Sequence, residues 1–299
     1  MTDDKTVGFI GLGIMGKPMA ENLLDAGYSV VGNNRSPEPV EDLVSQGADS
    51  AATPEEVAER SDVVISVLPD SDVVRDVALG DDGVIDGISE GDVFIDMSTI
   101  SPTVTQEIAD ELHEVGADML DAPISGGEEG AIEGTLSIMV GGNDDTLDDH
   151  RDLFEVMGDT VTHCGDHGSG QVAKACNQIV LGVTLQGVSE ALVFAKKAGA
   201  DLDAVLNAIS GGAASCWALD ARAPRVIEGN FDPGFFASYH YKDLRIATDA
   251  GEAFGSPMPA TELVHEMFKS MEQKGLGMED HSAIIKIVED LADEKARVE

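Results

Sequence analysis

The chain has 299 residues, 42% of them apolar, which is enough for two domains of ordinary size and a core burying on the order of three quarters of the unfolded surface. Fifty-seven acidic side chains against 18 basic ones give a formal charge of −39, which speaks against nucleic acid and anionic membranes as partners, and the apolar content speaks against a disordered chain. No run of 18 apolar residues is present to span a membrane, and Met1-Thr2-Asp3-Asp4-Lys5 lacks the basic and apolar regions of a secretory leader, so a cytoplasmic protein is expected.

In chain order, Val7 to Ile10 reads as a buried strand and about Ile14 to Asp25 as a helix, with Gly27 where a C-terminal cap belongs. Strands follow at Ser29 to Gly32, Val63 to Leu68, Asp92 to Met97, Met119 to Asp121 and Leu136 to Val140, with helices such as 54–60 and 103–115 between them. This alternation predicts an α/β fold: a doubly wound, mostly parallel Rossmann sheet covered by helices on both faces. From about Ser169 to Ala198 the chain reads as one long helix of roughly 45 Å, weakened by Gly182 and Gly187. More helices follow at 202–209, 242–253 and 260–274, and strand signals nearly vanish. The expected organisation is a nucleotide-binding domain over 1–165 and an all-α domain over 166–299, joined by the long interdomain helix. No internal repeat is evident.

Gly11-Leu12-Gly13-Ile14-Met15-Gly16 follows the first strand and opens the first helix, the context in which Gly-x-Gly-x-x-Gly binds a dinucleotide. The glycines permit the tight turn and the close backbone approach, and the helix N-terminus offers N–H groups to the pyrophosphate. An NAD site carries an acid about 20 residues further on; here stand Asn34, Arg35 and Ser36. Asn34 can bond a ribose oxygen, Arg35 can pair with a 2′-phosphate and Ser36 can donate to it, which favours NADP(H) and leaves NAD(H) open. Val67-Leu68-Pro69 and Asp96-Met97-Ser98-Thr99 end strands at the edge where such sheets bind ligands, although turn chemistry explains either one equally well.

Lys174 and Asn177 share a face of the long helix. Spacing alone favours a plain surface pair; if the segment is buried, desolvation lowers the lysine pKa toward neutrality and suits it to general acid or base work. Ser125-Gly126-Gly127 reads as a nest for a carboxylate, or simply a glycine-rich loop. His163-Cys164-Gly165-Asp166-His167 suggests a metal cluster at first sight, but Gly165 and Gly168 argue for a loop, and no metal is expected. Asp280-His281 reads as a surface helix start. The three cysteines form no Cys-x-x-Cys pair and are taken as reduced, small apolar residues. The acidic surface is expected to suit high salt.

Four ordered motifs, Gly8-Phe9-Ile10-Gly11-Leu12-Gly13-Ile14-Met15-Gly16, Asp121-Ala122-Pro123-Ile124-Ser125-Gly126-Gly127, Gly168-x-Gly170-x-x-x-Lys174-x-x-Asn177 and Lys242-Asp243-Leu244, resemble the β-hydroxyacid dehydrogenases over nearly the whole chain. The resemblance implies that Lys174 is catalytic, protonating a carbonyl as hydride arrives. It also implies that Ser125, Gly126 and Gly127 hold the substrate carboxylate, that Asn177 contacts substrate, and that Leu68, Pro69, Thr99 and Lys242 contact the cofactor. A small carboxylate-bearing carbonyl or hydroxy substrate and a homodimer or homotetramer are implied as well. Residues 126–137, Ala221-x-Ala223-Pro224 and Asp280-His281-Ser282 resemble the tartronate semialdehyde reductase branch. That branch often carries Asp where Asn34 stands, and Ser215-Cys216-Trp217 also departs from it. A non-catalytic dinucleotide-binding protein is the competing class, and the presence of Lys174 favours catalysis.

Overall fold

The computed structural model describes residues 5–298; the Met1–Asp4 part of the leader reading lies outside the described residues. The chain divides into two compact units, Met1–Lys174 and Ala175–Glu299, with the division inside one helix.

Nine strands are found among the described residues of the first unit: β1 (Thr6–Ile10), β2 (Ser29–Asn33), β3 (Asp49–Ser50), β4 (Val63–Ser66), β5 (Val93–Asp96), β6 (Asp118–Asp121), β7 (Ile124–Ser125), β8 (Ser137–Gly142) and β9 (Thr160–Gly165). Between them run α1 (Gly16–Asp25), α2 (Pro37–Ser45), α3 (Pro54–Glu59), α4 (Ser71–Leu79), α5 (Val84–Gly87), α6 (Pro102–Glu114), α7 (Gly127–Glu133), α8 (Asp144–Asp149) and α9 (Arg151–Met157). The sheet order is β3-β2-β1-β4-β5-β6-β8-β7, with β9 beside β8. The first six strands are parallel and the order reverses between β1 and β4, the crevice where doubly wound sheets bind ligands.

Alternate residues of the central strands feed opposite faces. Val63, Ile65, Val93, Ile95 and Leu120 join one core with Phe9, Met19, Leu23 and Phe154. Val64, Phe94 and Met119 join the other with Val57, Val74, Ile108 and Leu112. A strand buried on both faces reads as a continuous apolar run, which is why these segments are legible. Helix α1 ends as expected: Gly27 at φ 93° lets its N–H reach Leu24 O while Tyr28 N–H reaches Leu23 O.

Several expectations are corrected. Helix α1 begins at Gly16, not Ile14, because Gly11 to Met15 form the turn. β8 runs antiparallel to β6, a direction that an apolar run does not encode. His163 to Gly165 are not a loop but the end of β9, a partly exposed strand paired with β8.

The second unit is helical. Helix α10 (Ser169–Lys197) begins in the first unit and links the two; α11 (Leu202–Ser210), α12 (Ala223–Glu228), α13 (Ala237–Phe254), α14 (Pro259–Gln273) and α15 (Ile285–Ala292) follow. By length and composition α10 is apolar enough to cross a membrane, with mean hydropathy 1.5, yet Leu185, Leu192 and Val193 are buried in the cores of the helical unit. A Cβ on Gly182 would lie 3.2 Å from His240 Nε2, so its lack of a side chain lets α13 lie close against α10.

Asp280 and His281 are not a surface helix start. Both are 1% exposed, because Asp280 accepts from Ser282 Oγ at 2.6 Å and Gly234 N at 2.9 Å and lies 3.2 Å from Arg222 Nε. Cys176 is exposed rather than an apolar filler, whereas Cys164 and Cys216 are half-buried.

Candidate active site

At the carboxyl edge of the parallel sheet, Asn33, Ile10, Ser66, Asp96 and Asp121 lie side by side in register. The segment after each carries a candidate site residue, so residues far apart in sequence share one edge. Gly11 turns at φ 96°, and a Cβ there would be 2.3 Å from Val67 O; one on Gly16 would be 2.0 Å from Gly11 O. Gly13, by contrast, faces open space within 4 Å. A tight turn with room above its middle glycine is the shape that admits a pyrophosphate against backbone. The start of α1 has no side-chain cap and no acid in its first turn, while α3, α4, α8 and α11 are capped by Thr53, Asp70, Asn143 and Asp201. Leu12, Gly13 and Ile14, with Lys17, Glu128 and Ile132, line an open cleft of about 420 Å³. The glycine turn and the uncapped helix start fit a dinucleotide phosphate, while the carboxylates of Glu21 and Glu128 also line the cleft. Leu12 itself is 2% exposed and packs into the core, and Met15 is half-buried.

Asn34 is committed within the protein. Its Oδ1 accepts from Leu12 N at 3.0 Å and its Nδ2 donates to Ser36 O at 3.0 Å, so it braces the glycine turn against the β2–α2 loop. Arg35 and Ser36 are exposed at the loop tip, and Arg35 has no ion pair among the described residues.

The ends of β4 and β5 are joined through a buried network that the sequence did not single out. Asp96 Oδ1 accepts from Ser66 Oγ at 2.7 Å and from Ser98 Oγ at 2.6 Å, and Leu68 N donates to Ser98 Oγ at 2.8 Å. Leu68 and Thr99 are half-buried and Pro69 is exposed. The only sequence signal was polar residues closing apolar strands.

Asp121 is fully buried and holds the start of α10: Oδ1 accepts from Gly168 N at 2.8 Å and Oδ2 from Gln171 N at 2.9 Å. Burial pushes its carboxyl up to about 6, against the lowering effect of those two bonds and of nearby His167. A Cβ on Gly170 would lie 2.3 Å from Met139 O and 2.6 Å from Asp121 O, and one on Gly141 would lie 2.5 Å from Asp121 Oδ1. The second glycine of Gly168-x-Gly170 is therefore there to let the helix start approach β6 and β8. Lys174, one turn further along, is 7% exposed, so the plain surface pair is not what the chain forms. Ser125 ends β7, and Gly126 and Gly127 take φ of 148° and 68°, values that favour glycine.

Asn177 and Lys242 belong to the helical unit. Asn177 Nδ2 donates to Gln178 Oε1 at 2.7 Å, Gln178 Nε2 donates to Asp243 Oδ2 at 2.5 Å, and Asp243 Oδ1 lies 3.2 Å from Lys242 Nζ. A chain of bonds thus connects two of the candidates. Beside it, His240 and His281 lie 3.1 Å apart through their Nδ1 atoms, and burial holds His281 near 3, hence neutral. Trp217 is half exposed, with the Arg222 guanidinium 4.4 Å from its ring centroid.

His163 and His167 do not converge on one centre. His163 meets Gly142 O at 2.9 Å and Asp144 at 3.2 Å, and His167 meets Met119 O at 2.9 Å and Asp118 at 3.6 Å.

Comparison with known proteins places the chain in a family. Residues 6–165 match the NAD-binding domain of 6-phosphogluconate dehydrogenase, and residues 168–288 match the NAD-binding domain of NADP-dependent 3-hydroxyisobutyrate dehydrogenase. The chain is 42% identical to the 2-hydroxy-3-oxopropionate reductase of Escherichia coli, over 97% of this chain and 99% of that one. The chain belongs to the β-hydroxyacid dehydrogenase family. Another of its members, the 2-(hydroxymethyl)glutarate dehydrogenase of Eubacterium barkeri, is 36% identical over 95% of both chains. Among solved structures, Mycobacterium tuberculosis 3-hydroxyisobutyrate dehydrogenase with L-serine superimposes with a TM-score of 0.89 at 34% identity, over 95% of this chain and 99% of that one. Membership makes this chain an NAD(P)-dependent oxidoreductase whose relatives act on small hydroxy acids.

Proposed function

We propose that this β-hydroxyacid dehydrogenase is an NADP(H)-dependent enzyme interconverting a small β-hydroxy acid and its semialdehyde, with tartronate semialdehyde (2-hydroxy-3-oxopropionate) as the preferred substrate. The observation that carries the reading is the buried Lys174, set on a helix whose start is bonded to the carboxyl edge of the sheet. The likeness to the Escherichia coli reductase supports the substrate. The exposed Arg35 and Ser36, with no acid at Asn34, support NADP(H) over NAD(H), and a similar solved structure holds NADP+.

When bound, the nicotinamide supplies the hydride that reaches the carbonyl carbon, or takes it up in the reverse direction. Lys174 Nζ gives a proton to the carbonyl oxygen, which becomes the hydroxyl, and regains it from solvent. Ser125 Oγ and the Gly126 and Gly127 amides hold the substrate carboxylate, and Asn177 contacts the substrate. The Gly11–Gly16 turn holds the pyrophosphate, Arg35 and Ser36 the 2′-phosphate, and Leu68, Pro69, Thr99 and Lys242 the rest of the cofactor. The enzyme is cytoplasmic, works as a homodimer or homotetramer and is adapted to high salt.

The similarity to 3-hydroxyisobutyrate dehydrogenases supports methylmalonate semialdehyde as the second candidate. The test is NADPH oxidation in high salt with tartronate semialdehyde, methylmalonate semialdehyde, glyoxylate and succinic semialdehyde side by side. Tartronate semialdehyde is expected to turn over fastest, and a faster rate with another aldehyde replaces the substrate. Lys174→Ala should lower kcat by about 10²–10⁴-fold while NADPH still binds. Full turnover by that variant overturns the role of Lys174, and binding without any turnover by the natural protein favours a non-catalytic dinucleotide-binding protein.

A further inference from the structure

Gln171 is 1% exposed and spends its whole amide on one short segment. Its Oε1 accepts from Ile100 N at 3.0 Å, and its Nε2 donates to Ser98 O at 2.9 Å. The two bonds bracket Thr99, the candidate cofactor contact that follows β5. Its own backbone N–H is held by Asp121 on β6. Ser98 in turn accepts from Leu68 N and donates to Asp96. One side chain therefore fixes the start of α10 to the β5–α6 loop, and through Ser98 to the β4–α4 loop. Lys174 lies three residues further on the same helix, a rise of about 4.5 Å.

We propose that Gln171 is a positioning residue that fixes the Thr99 loop relative to Lys174. This rests on the reading of Lys174 as the proton donor and of Thr99 as a cofactor contact. The chemistry requires a side chain that accepts at one end and donates at the other, because the segment presents one N–H and one C=O. A buried N–H and C=O left without partners are strongly penalised, so the loop moves when the amide is removed.

Two variants test it. Gln171→Leu keeps approximate size and removes both bonds. Gln171→Glu, when ionised, accepts from Ile100 N–H but repels Ser98 O; when protonated, it restores both bonds. The ionisable groups attached to the same segment are Asp96, through Ser98, and Asp121, through the Gln171 N–H. Lys174 lies one turn on, and His167 just before the helix.

Each variant is assayed with NADPH and the best aldehyde, and the primary deuterium isotope effect on kcat/KM is measured with 4-deuterated NADPH. NADPH affinity is measured by fluorescence titration, and folding by the thermal midpoint. Gln171→Leu is expected to lower kcat at least tenfold, change the isotope effect and weaken NADPH binding about tenfold. Gln171→Glu is expected to recover toward the natural rate as the pH falls, judged as the ratio to the natural protein at each pH. A lowered midpoint with kcat, isotope effect and NADPH affinity unchanged would make Gln171 merely structural and overturn the proposal, as would a Gln171→Glu ratio independent of pH. If the natural protein reduces none of the aldehydes, the proposed reaction fails; the NADPH titration then decides the bracing of the Thr99 loop by itself.

Discussion

Asn34 accepts the Leu12 N–H at 3.0 Å across 22 residues of sequence, so the residue expected to touch ribose also braces the glycine turn. Its other end holds Ser36 O, which presents Arg35 and Ser36 at the loop tip. Asp at this position would still accept from Leu12 but would lose the Ser36 bond and place a negative charge beside a 2′-phosphate. Asn34→Asp is expected to lower the NADPH-to-NADH ratio of kcat/KM at least tenfold, about 1.4 kcal/mol. Arg35→Ala should weaken NADPH by a similar factor and leave NADH within about twofold. Equal losses with both cofactors would remove Arg35 from the phosphate site.

Asp121 makes the stability depend on pH with an unusual sign. Its carboxyl is raised to about 6 by burial, above the ordinary value of 3.8. The folded state then binds a proton that the unfolded state has released, so this group's contribution falls as pH rises from about 4 to about 6 and is level above that. Asp121→Asn has no such slope. The stability of the natural protein relative to the variant, from urea midpoints at each pH, should therefore drop by on the order of 3 kcal/mol across that window, at about 1.4 kcal/mol per pH unit. A difference that rises with pH would show that the hydrogen bonds to Gly168 and Gln171 outweigh burial.

His167 and Asp118 have the opposite logic. Burial alone would raise Asp118, but the imidazole of His167 3.6 Å away and hydrogen bonds from Thr146 and the Met119 N–H together hold it at about 2. The nearby Asp118 carboxylate raises His167 above 6.5. The histidine's share of stability is fully present below about pH 6.5 and is lost as the pH rises through its raised folded value; the share of Asp118 is present above about 3.8 and is lost as the pH falls toward 2. His167→Gln keeps a donor for Met119 O but no charge. It should destabilise the protein more at pH 5.5 than at pH 9, by chemical denaturation, and an equal loss at both would mean that the pair carries no charge coupling.

Most of the sheet was legible because buried parallel strands are apolar on both faces and close at glycine or a polar residue, as at Gly11 after Phe9-Ile10 and at Asp96 after Phe94-Ile95. What the sequence withheld was the information carried by partners. β9 has no fully buried residue and no regular alternation, and gains strand form only by pairing with β8. Asp280 looks like a solvent-facing cap until Arg222 and the Gly234 N–H, 58 and 46 residues away, surround it. In the candidate site, the glycine turn and Lys174 stood out by motif. Gln171 did not, and Asp96 and Ser98 stood out only as a strand end, because a buried polar residue declares itself only once its acceptors and donors are placed. The spacing of Gly168-x-Gly170 was visible, but its reason, the carboxylate of Asp121 47 residues earlier, was not.

The charge of −39 leads to the last prediction. Basic residues are mostly engaged already, in pairs such as Lys17–Asp42, Arg60–Asp49, Arg75–Glu107 and Lys274–Asp290, so the remaining acids repel one another across the surface. Half-buried Glu55 carries the signature: desolvation first, then Glu59, Asp82, Asp86 and Glu56, push its carboxyl upward. Helix α8 places Asp144, Asp145, Asp148 and Asp149 within six residues. Raising the ionic strength from 0.1 M to 1 M shortens the Debye length from about 10 Å to about 3 Å, which is less than the spacing of most of these charges. The thermal midpoint should therefore rise steeply with KCl up to about 1 M and more slowly beyond. Uncharged sucrose at matched osmolality should give a smaller rise, because it leaves the repulsion unscreened. A midpoint indifferent to KCl, or one that sucrose raises equally, would mean that the acidic surface is tolerated without screening and would remove the argument for adaptation to high salt.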